Sequence, residues 1–373
     1  MADTKLGLVS VVVPVFNTAP YLANCLDSIL SQSYGHLELM AVDDGSTDDS
    51  PSILAMYAGH DRRIRVLRQP NQGQSAARNR ALDATRGDWI TFVDSDDHIH
   101  ERYVERLLEL ALDRHADLSI CSAVEYDPGT RQPVPNGHTT HIRWQIDHDA
   151  GSIDPRDEST KASILNICLA PWGKLCRAEL ARSLRFPESL RRYEDNPYVL
   201  GIAHKAERIA YIREQLYYYR RRIDSVSRMV ETGQLWAQAY SEFLEAMRLC
   251  RMVFQDDPEL LRAYTDQGLA HAQWNYAKLR MRERARARRL ACSIGLSTHE
   301  VRRICGRDVA GLIRRAHRLC KLLVPPVLVH VLRPPLRWMR EALRQRHAMS
   351  AAADASSPVA AGIAVARAPT TGA

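Results

Sequence analysis

The stretch Leu8–Val15 (Leu-Val-Ser-Val-Val-Val-Pro-Val) is apolar at nearly every position, as suits a strand buried on both faces. Apolar residues then recur at helical spacing at Leu22, Leu26, Ile29 and Leu30. Leu37–Val42 reads as a second strand. Pro51 opens a second helix where its missing N–H costs little. Ile64–Leu67 is a short third strand, Ser75–Thr85 an Ala-rich third helix, and Trp89–Val93 a fourth strand. Strands alternating with helices predict an α/β fold: a mostly parallel, Rossmann-like sheet with flanking helices. Ligands of such sheets bind at the carboxyl ends of the strands.

Polar clusters stand at those ends. Asn17 follows the first strand, Asp43 and Asp44 the second, and Asp94-Ser95-Asp96-Asp97 the fourth. Residues two apart on a strand point to the same side. Asp94 and Asp96 are therefore expected to face one space, provided that strand geometry persists to them. Two carboxylates held together repel unless a positive group joins them. An all-oxygen pair suits a hard divalent cation such as Mg²⁺ or Mn²⁺. Such a cation also binds phosphate oxygens, which points to a diphosphate-bearing substrate. A polar turn capping the next helix is the plainer reading of Asp-Ser-Asp-Asp alone. Three clusters in register favour a site.

Five stretches carry a family resemblance: Val-Ser-Val-Val-Val-Pro-Val-Phe-Asn (9–17), Leu-Asp-Ser-Ile-Leu-Ser-Gln-Ser-Tyr (26–34), Val-Asp-Asp-Gly-Ser-Thr-Asp (42–48), Asn-Gln-Gly-Gln-Ser-Ala-Ala-Arg-Asn (71–79) and Phe-Val-Asp-Ser-Asp-Asp (92–97). In order and spacing the chain resembles a family 2 glycosyltransferase of the GT-A fold. The match is strong over residues 8–125. It continues more loosely to about 228 through Ala-Pro-Trp-Gly-Lys-Leu (170–175), Arg-Phe-Pro-Glu (185–188), Tyr-Glu-Asp-Asn-Pro (193–197) and Tyr-Tyr-Tyr-Arg (217–220). The resemblance implies that Pro14, Phe16 and Asn17 line the nucleotide pocket. It implies that Asp44, with Asp43 beside it, accepts from the base or ribose, and that Arg78 lies near the nucleotide. Asp94 would approach the sugar or ribose, Asp94 and Asp96 would hold the metal, and Asp97 would be a less defined third member. Asp195 would be the catalytic base, with Glu194 beside it, although both also suit a helix N-terminal turn. Implied too are inversion at the anomeric carbon, a nucleotide-sugar donor (a UDP-sugar foremost), a glycan or lipid-linked acceptor and a role in bacterial surface polysaccharide synthesis. The family often carries Asn where this chain has Gly173; Lys174 remains, and Trp172 reads as core.

Composition adds a division of the chain. Its 373 residues are 45% hydrophobic and 25% charged, with a net charge of +7, enough for a full core and two parts. The expected parts are a glycosyltransferase domain at 1–230 (nucleotide-sugar half 1–125, acceptor half 126–230), a helical basic region at 231–348 and a disordered tail at 349–373. The eight cysteines form no C-x-x-C pair, so they lend no support to metal or redox use. Cys25, Cys121 and Cys168 sit in apolar patterns as reduced core residues. The N-terminus shows no signal-peptide pattern. The apolar run Leu322–Leu332 is too short to span a bilayer and contains Pro325 and Pro326. A cytoplasmic enzyme is expected. Residues 275–346 hold 19 Lys/Arg against 4 Asp/Glu, with Leu, Val and Trp338 interleaved. That pattern suits the anionic inner face of the plasma membrane, or else a solvated helical face. No nucleic-acid recognition motif accompanies the charge.

Two other functions have distinct signatures. A nucleotidyltransferase would show a Gly-rich, basic loop after the first strand, where this chain has Pro14-Val-Phe-Asn17; the G-x-G-x-x-G of a dinucleotide oxidoreductase is also absent. A non-catalytic membrane or polyanion adaptor would not need intact acidic clusters. The donor sugar, acceptor and linkage depend on residues 125–230, on which the sequence is silent.

Overall fold

The computed structural model describes residues 6–127, 132–133, 150–222, 236–279 and 296–305, with scattered positions between 283 and 292. The apolar run at the start becomes β1 (Val9–Val15), with every residue buried. It lies between β2 (Leu37–Asp43) and β4 (Trp89–Phe92), parallel to both. Strand β3 (Ile64–Arg68) pairs with β2 at the edge, where alternate residues are open to solvent. Helices α1 (Ala19–Leu30), α2 (Ser50–His60) and α3 (Gln74–Ala84) connect these strands. Each begins near the carboxyl end of a strand. α1 buries Leu22, Cys25, Leu26 and Ile29, the i, i+3, i+4 stripe that defines its inner face.

The rest of the sheet comes from residues whose sequence predicted no strand. These are β5 (His98–Ile99), β6 (Leu118–Asp127), β7 (Gln132–Pro133), β8 (Ala150–Ile153), β9 (Lys174–Arg177) and β10 (Ile209–Arg220). The order is β3-β2-β1-β4-β9-β6-β10-β5, with β7 on β6 and β8 on β10. β9 runs antiparallel between β4 and β6. Its amino end, with Trp172 bridged to Phe92, therefore reaches the same edge as the carboxyl ends of β1, β2 and β4. β10 is parallel to β6 and brings Tyr217–Arg220 to that edge as well. α4 (Tyr103–Asp113) covers one face of the sheet. α5 (Ala178–Arg182) and α6 (Asp195–Lys205) pack on the other, where Phe92, Phe186 and Tyr198 form a cluster with ring centroids 3.7 to 5.9 Å apart.

The compact unit runs to Gly306, past the division expected at residue 230. Helices Trp236–Val253 and Pro258–Lys278 contribute Leu244, Met247 and Leu269, and the turn between them Phe254, to the apolar cluster that contains Tyr198 and Val199 of α6. Ion pairs follow the same seam: Arg192 to Glu242 at 3.0 Å and Lys161 to Glu259 at 2.7 Å. Asp257 caps the second helix, its Oδ1 accepting from the Glu259 and Leu260 amides. Of the basic segment, Arg284 and Arg303 are described and make local contacts, Arg303 with Asp266 and Arg284 with the Leu279 carbonyl. The remainder of that segment and the tail at 349–373 lie largely or wholly outside the described residues. No described helix is long and apolar enough to cross a membrane. Cys25 and Cys121 are buried, Cys168 is partly so, and all three are free thiols.

Burying a Leu, Met or Phe is worth about 1.5–3 kcal/mol each. A chain ending at residue 235 would uncover the α6 face, whereas one ending at 306 would keep it covered. Urea unfolding followed by far-UV circular dichroism should give one cooperative transition for 1–306. The 1–235 fragment should unfold with a smaller slope or aggregate.

Candidate active site

Three loops meet at the carboxyl edge of the sheet, and hydrogen bonds join them. Asn17, held at φ 51°, accepts the Thr47 amide on Oδ1 at 2.8 Å, and its own amide donates to Ser46 Oγ at 3.0 Å. Thr18 Oγ1 lies 3.0 Å from Ser95 Oγ. Asp43 turns inward, accepting the Ser46 amide at 2.9 Å with Arg68 at 3.2 Å. Asp44 is buried, and its oxygens accept from Gln69 Nε2 and the amides of Gln72 and Gly73, all within 2.9 Å. It thereby folds the Asn-Gln-Gly loop against β2. Pro14 is buried in β1, whereas Phe16 is 46% exposed at the strand's end.

Arg78 is the centre of the cluster. Its side chain on α3 is 1% exposed, yet it carries a guanidinium. Nη2 donates to Asp94 at 3.0 Å; Nη1 donates to Asp195 at 2.7 Å and to Glu194 at 3.2 Å. Burial works against the charge, but Asp195, Asp94 and Glu194 outweigh it and hold its pKa above the ordinary value. The amide of Gln74 joins the group: with its oxygen facing Arg78 Nη2, its nitrogen donates to Glu194. One cation does not neutralise three carboxylates. Burial raises the pKa of Asp94 and Glu194, and burial with the neighbouring Glu194 pushes Asp195 to about 7. Asp195 opens α6 and keeps 26% of its side chain exposed. It is both a first-turn residue of a helix and an accessible carboxylate.

The carboxylates after β4 do not lie on an extended strand. β4 ends at Phe92, and Asp94–Asp97 form a turn closed by the Asp97 amide on the Asp94 carbonyl at 3.0 Å. The alternation expected to aim Asp94 and Asp96 together therefore does not operate. Each has its own arginine instead: Arg78 for Asp94, and Arg222 Nη1 at 3.0 Å for Asp96. Burial and the nearby Asp94 still raise the pKa of Asp96. Asp97 points into the protein, accepting Tyr217 Oη and the Arg220 amide, both at 2.7 Å. The Tyr217 hydroxyl in turn accepts the Asp94 amide at 3.1 Å. Arg220 donates to the Asp96 carbonyl and to Asn24, and stacks between Tyr21 and Tyr126.

The donor chemistry at Asp94 and Asp96 fits a hard divalent cation: two oxygen donors whose charged forms burial and mutual repulsion disfavour. Among the described residues, no group of three or more His, Cys, Asp or Glu forms a ready metal cage. A magnesium-like ion held by one or two carboxylates commonly completes its shell with substrate phosphates.

Across the edge, Trp172 is buried and stacks on Tyr217 with centroids 4.6 Å apart. Lys174 Nζ is buried and donates to the Ala170 and Trp172 carbonyls. It holds the loop before β9, forms no ion pair among the described residues, and its charge still acts on Asp195, lowering that carboxyl's pKa. Gly173 adopts φ +68°, and the nearest atom to a Cβ at that position would be 3.6 Å away. Asn is among the few side-chain-bearing residues that tolerate such a backbone, so Gly173 keeps the conformation that an Asn would adopt.

A family model described as "Glycosyl transferase family 2" matches residues 10–164. The chain is 34% identical over 234 residues to glycosyltransferase GlyG of Streptococcus pneumoniae, covering 62% of this chain and 76% of that protein. The chain belongs to glycosyltransferase family 2. It is also 34% identical over 228 residues to the uncharacterized glycosyltransferase EpsJ of Bacillus subtilis, spanning 63% of that protein. The fold is that of S. aureus TarS 1–349 in complex with UDP-GlcNAc, with a TM-score of 0.62 at 22% identity over 79% of this chain and 81% of that one. As a family 2 transferase of the GT-A fold, this chain places its acidic stretches around Arg78.

Tyr217, Arg220, Arg222 and Gln74 belong to the cluster, but sequence reasoning gave them no role. The one available signal was Arg220 and Arg222, two apart after an aromatic run. Its meaning depends on β10 lying beside β5, which pairs residues more than a hundred positions apart.

Removing one partner of a buried ion pair costs about 3–5 kcal/mol. Arg78→Met should cost that much at pH 8, measured by urea denaturation. Carboxylates raised in the folded state bind protons there before they do in the unfolded chain. Their contribution to stability is therefore full near pH 4, the ordinary carboxylate value, and is lost as pH rises through about 7. The penalty of Arg78→Met should accordingly shrink at pH 5.5. A penalty equal at both pH values would contradict this account of the cluster.

Proposed function

We propose that the chain transfers a sugar, with inversion, from a nucleotide-diphosphate sugar (a UDP-sugar foremost) to a hydroxyl of a bacterial surface glycan or a lipid-linked precursor. The carrying observation is the cluster of Asp94, Glu194 and Asp195 on Arg78, with Asp195 raised to about 7 and part of its side chain open. A general base works best with a pKa near the working pH. In this reading Asp195 takes the proton of the acceptor hydroxyl as the oxygen attacks the anomeric carbon from the face opposite the diphosphate. Direct displacement with one base inverts that carbon. Glu194 and Arg78 orient Asp195 and set its affinity for the proton. Asp44 and Asn17 fix the loops around the nucleotide, and Phe16 offers the base an apolar face. Asp94 and Asp96 would hold Mn²⁺ or Mg²⁺ together with the donor's phosphates. Bound there, the cation supplies Lewis acidity to the departing diphosphate.

The relatives' names support the surface-glycan assignment. They include a putative teichuronic acid biosynthesis glycosyltransferase, TuaG, and a minor teichoic acid biosynthesis protein, GgaA, both of Bacillus subtilis. The basic segment at 275–346 would hold the enzyme at the anionic inner leaflet, each Lys or Arg near the surface adding about 1 kcal/mol. Co-sedimentation of the whole chain with phosphatidylserine vesicles at low salt, weaker for 1–306, which keeps nine of the segment's 19 Lys/Arg, would bear this out.

Donor hydrolysis or transfer should appear with one member of a panel of UDP-, GDP- and dTDP-sugars in Mn²⁺. Asp195→Asn should lower turnover by about 10²–10⁴ while sparing donor affinity. The parent's rate should fall as pH drops below about 7, because the base is then protonated. Near-parental turnover of Asp195→Asn would remove Asp195 from this role. Mn²⁺ should bind weakly to the nucleotide-free chain and more tightly once the preferred nucleoside diphosphate is present. Nucleotide affinity should rise by the same factor. Full activity in EDTA would contradict metal assistance.

A further inference from the structure

A diphosphate entering this edge needs positive charge, and most of the nearby guanidinium groups are committed. Arg78 serves three carboxylates. Arg222 serves Asp96, and Arg220 serves the Asp96 carbonyl and Asn24. Arg191 differs. It is exposed and makes neither a hydrogen bond nor an ion pair among the described residues.

Its position is set by Gly73. A Cβ on Gly73 would run into Arg191 Nη1 and stand 3.2 Å from Cζ and 3.7 Å from Cδ. The guanidinium therefore packs beside Gly73 with Nη1 foremost, in space that a side chain at that position would occupy. Gly73 also has φ +97°, a conformation that favours glycine. Its amide donates to Asp44 on one side, and Gln74 reaches Arg78 and Glu194 on the other. Arg191 thus stands between the loop anchored by Asp44 and the carboxylate cluster. It also precedes Glu194 by three residues, on the segment that leads into α6. Gly73 is the N-cap of α3 and brings no side-chain cap, so the local backbone field is positive as well.

We propose that Arg191 is the cation that binds the donor's diphosphate and stays with it as it departs as a nucleoside diphosphate. This inference rests on the sugar-nucleotide reading above. The planar guanidinium can take two phosphate oxygens at once. It becomes available because Gly73 leaves room for it. Carried on the same short segment as Asp195, it sets the spacing between the diphosphate and the base.

The experiment is isothermal titration of the whole chain in Mn²⁺. The ligands are the nucleoside diphosphate that the parent binds most tightly among UDP, GDP and dTDP, the matching monophosphate and the nucleoside. Arg191→Ala should weaken the diphosphate about 10- to 100-fold, as expected for loss of a charge-assisted bond. It should leave the nucleoside within about twofold of the parent. Arg191→Lys should recover part of the loss by keeping a point charge. A purely structural role would weaken all three ligands alike, and that result overturns the proposal. So does parental diphosphate affinity in Arg191→Ala. A parent that binds none of the three diphosphates overturns the sugar-nucleotide reading and this inference with it.

Discussion

The buried guanidinium of Arg78 is the interaction on which the site depends. It reaches α6 through Glu194 and Asp195, and the turn after β4 through Asp94. An unpaired ion in that position would be costly. With one cation among three carboxylates, the cluster stays short of positive charge. In the proposed mechanism that deficit has a use. It keeps Asp195 ready to accept a proton near neutral pH and keeps Asp94 receptive to a further positive group. Better neutralisation would make the fold more stable and the base weaker.

The sheet determines where this chemistry happens. β1, β2 and β4 deliver three loops to one edge because parallel strands end on the same side. β9 enters antiparallel, so its beginning rather than its end arrives there. Trp172 and Tyr217 then stack at the boundary between core and site. Through Tyr217, the turn bearing Asp94 is tied to the last strand of the sheet. Among the described residues, the helices after residue 235 bury the back of α6 and so hold Asp195 in place.

Much of the first half was legible in the sequence. Four apolar runs, each followed by polar residues, gave four strands and the edge on which ligands bind, because local periodicity carries that information. Asp43, Asp44 and Asp94 were visible for the same reason, whereas Glu194 and Asp195 were visible only through the family resemblance. The partner of each was not. Nothing near Arg78 in sequence says that it will meet residues more than a hundred positions on. The strand alternation expected to aim Asp94 and Asp96 stops at Phe92, and a turn sets them near each other instead. Strands β5 to β10 were missed because their pairing is non-local and β10 carries irregular register after Tyr211. The break expected at residue 230 followed the end of the family resemblance, whereas the apolar core continues past it.

The link between Asp97 and Tyr217 spans 120 positions, and that between Arg78 and Asp195 spans 117. Contacts so distant along the chain form late, since loop closure must come before they contribute. A ribosome that has released the chain only as far as α4 has released strands β1 to β4 and an acidic turn still open to water. Arg78 is then present without two of its three counter-charges, and Asp97 without its tyrosine. The loops after β1, β2 and β4 and the Glu194-Asp195 pair therefore come into register only after β10 has emerged and docked. On the proposed reading, the order of synthesis assembles the donor side of the site before the acceptor side.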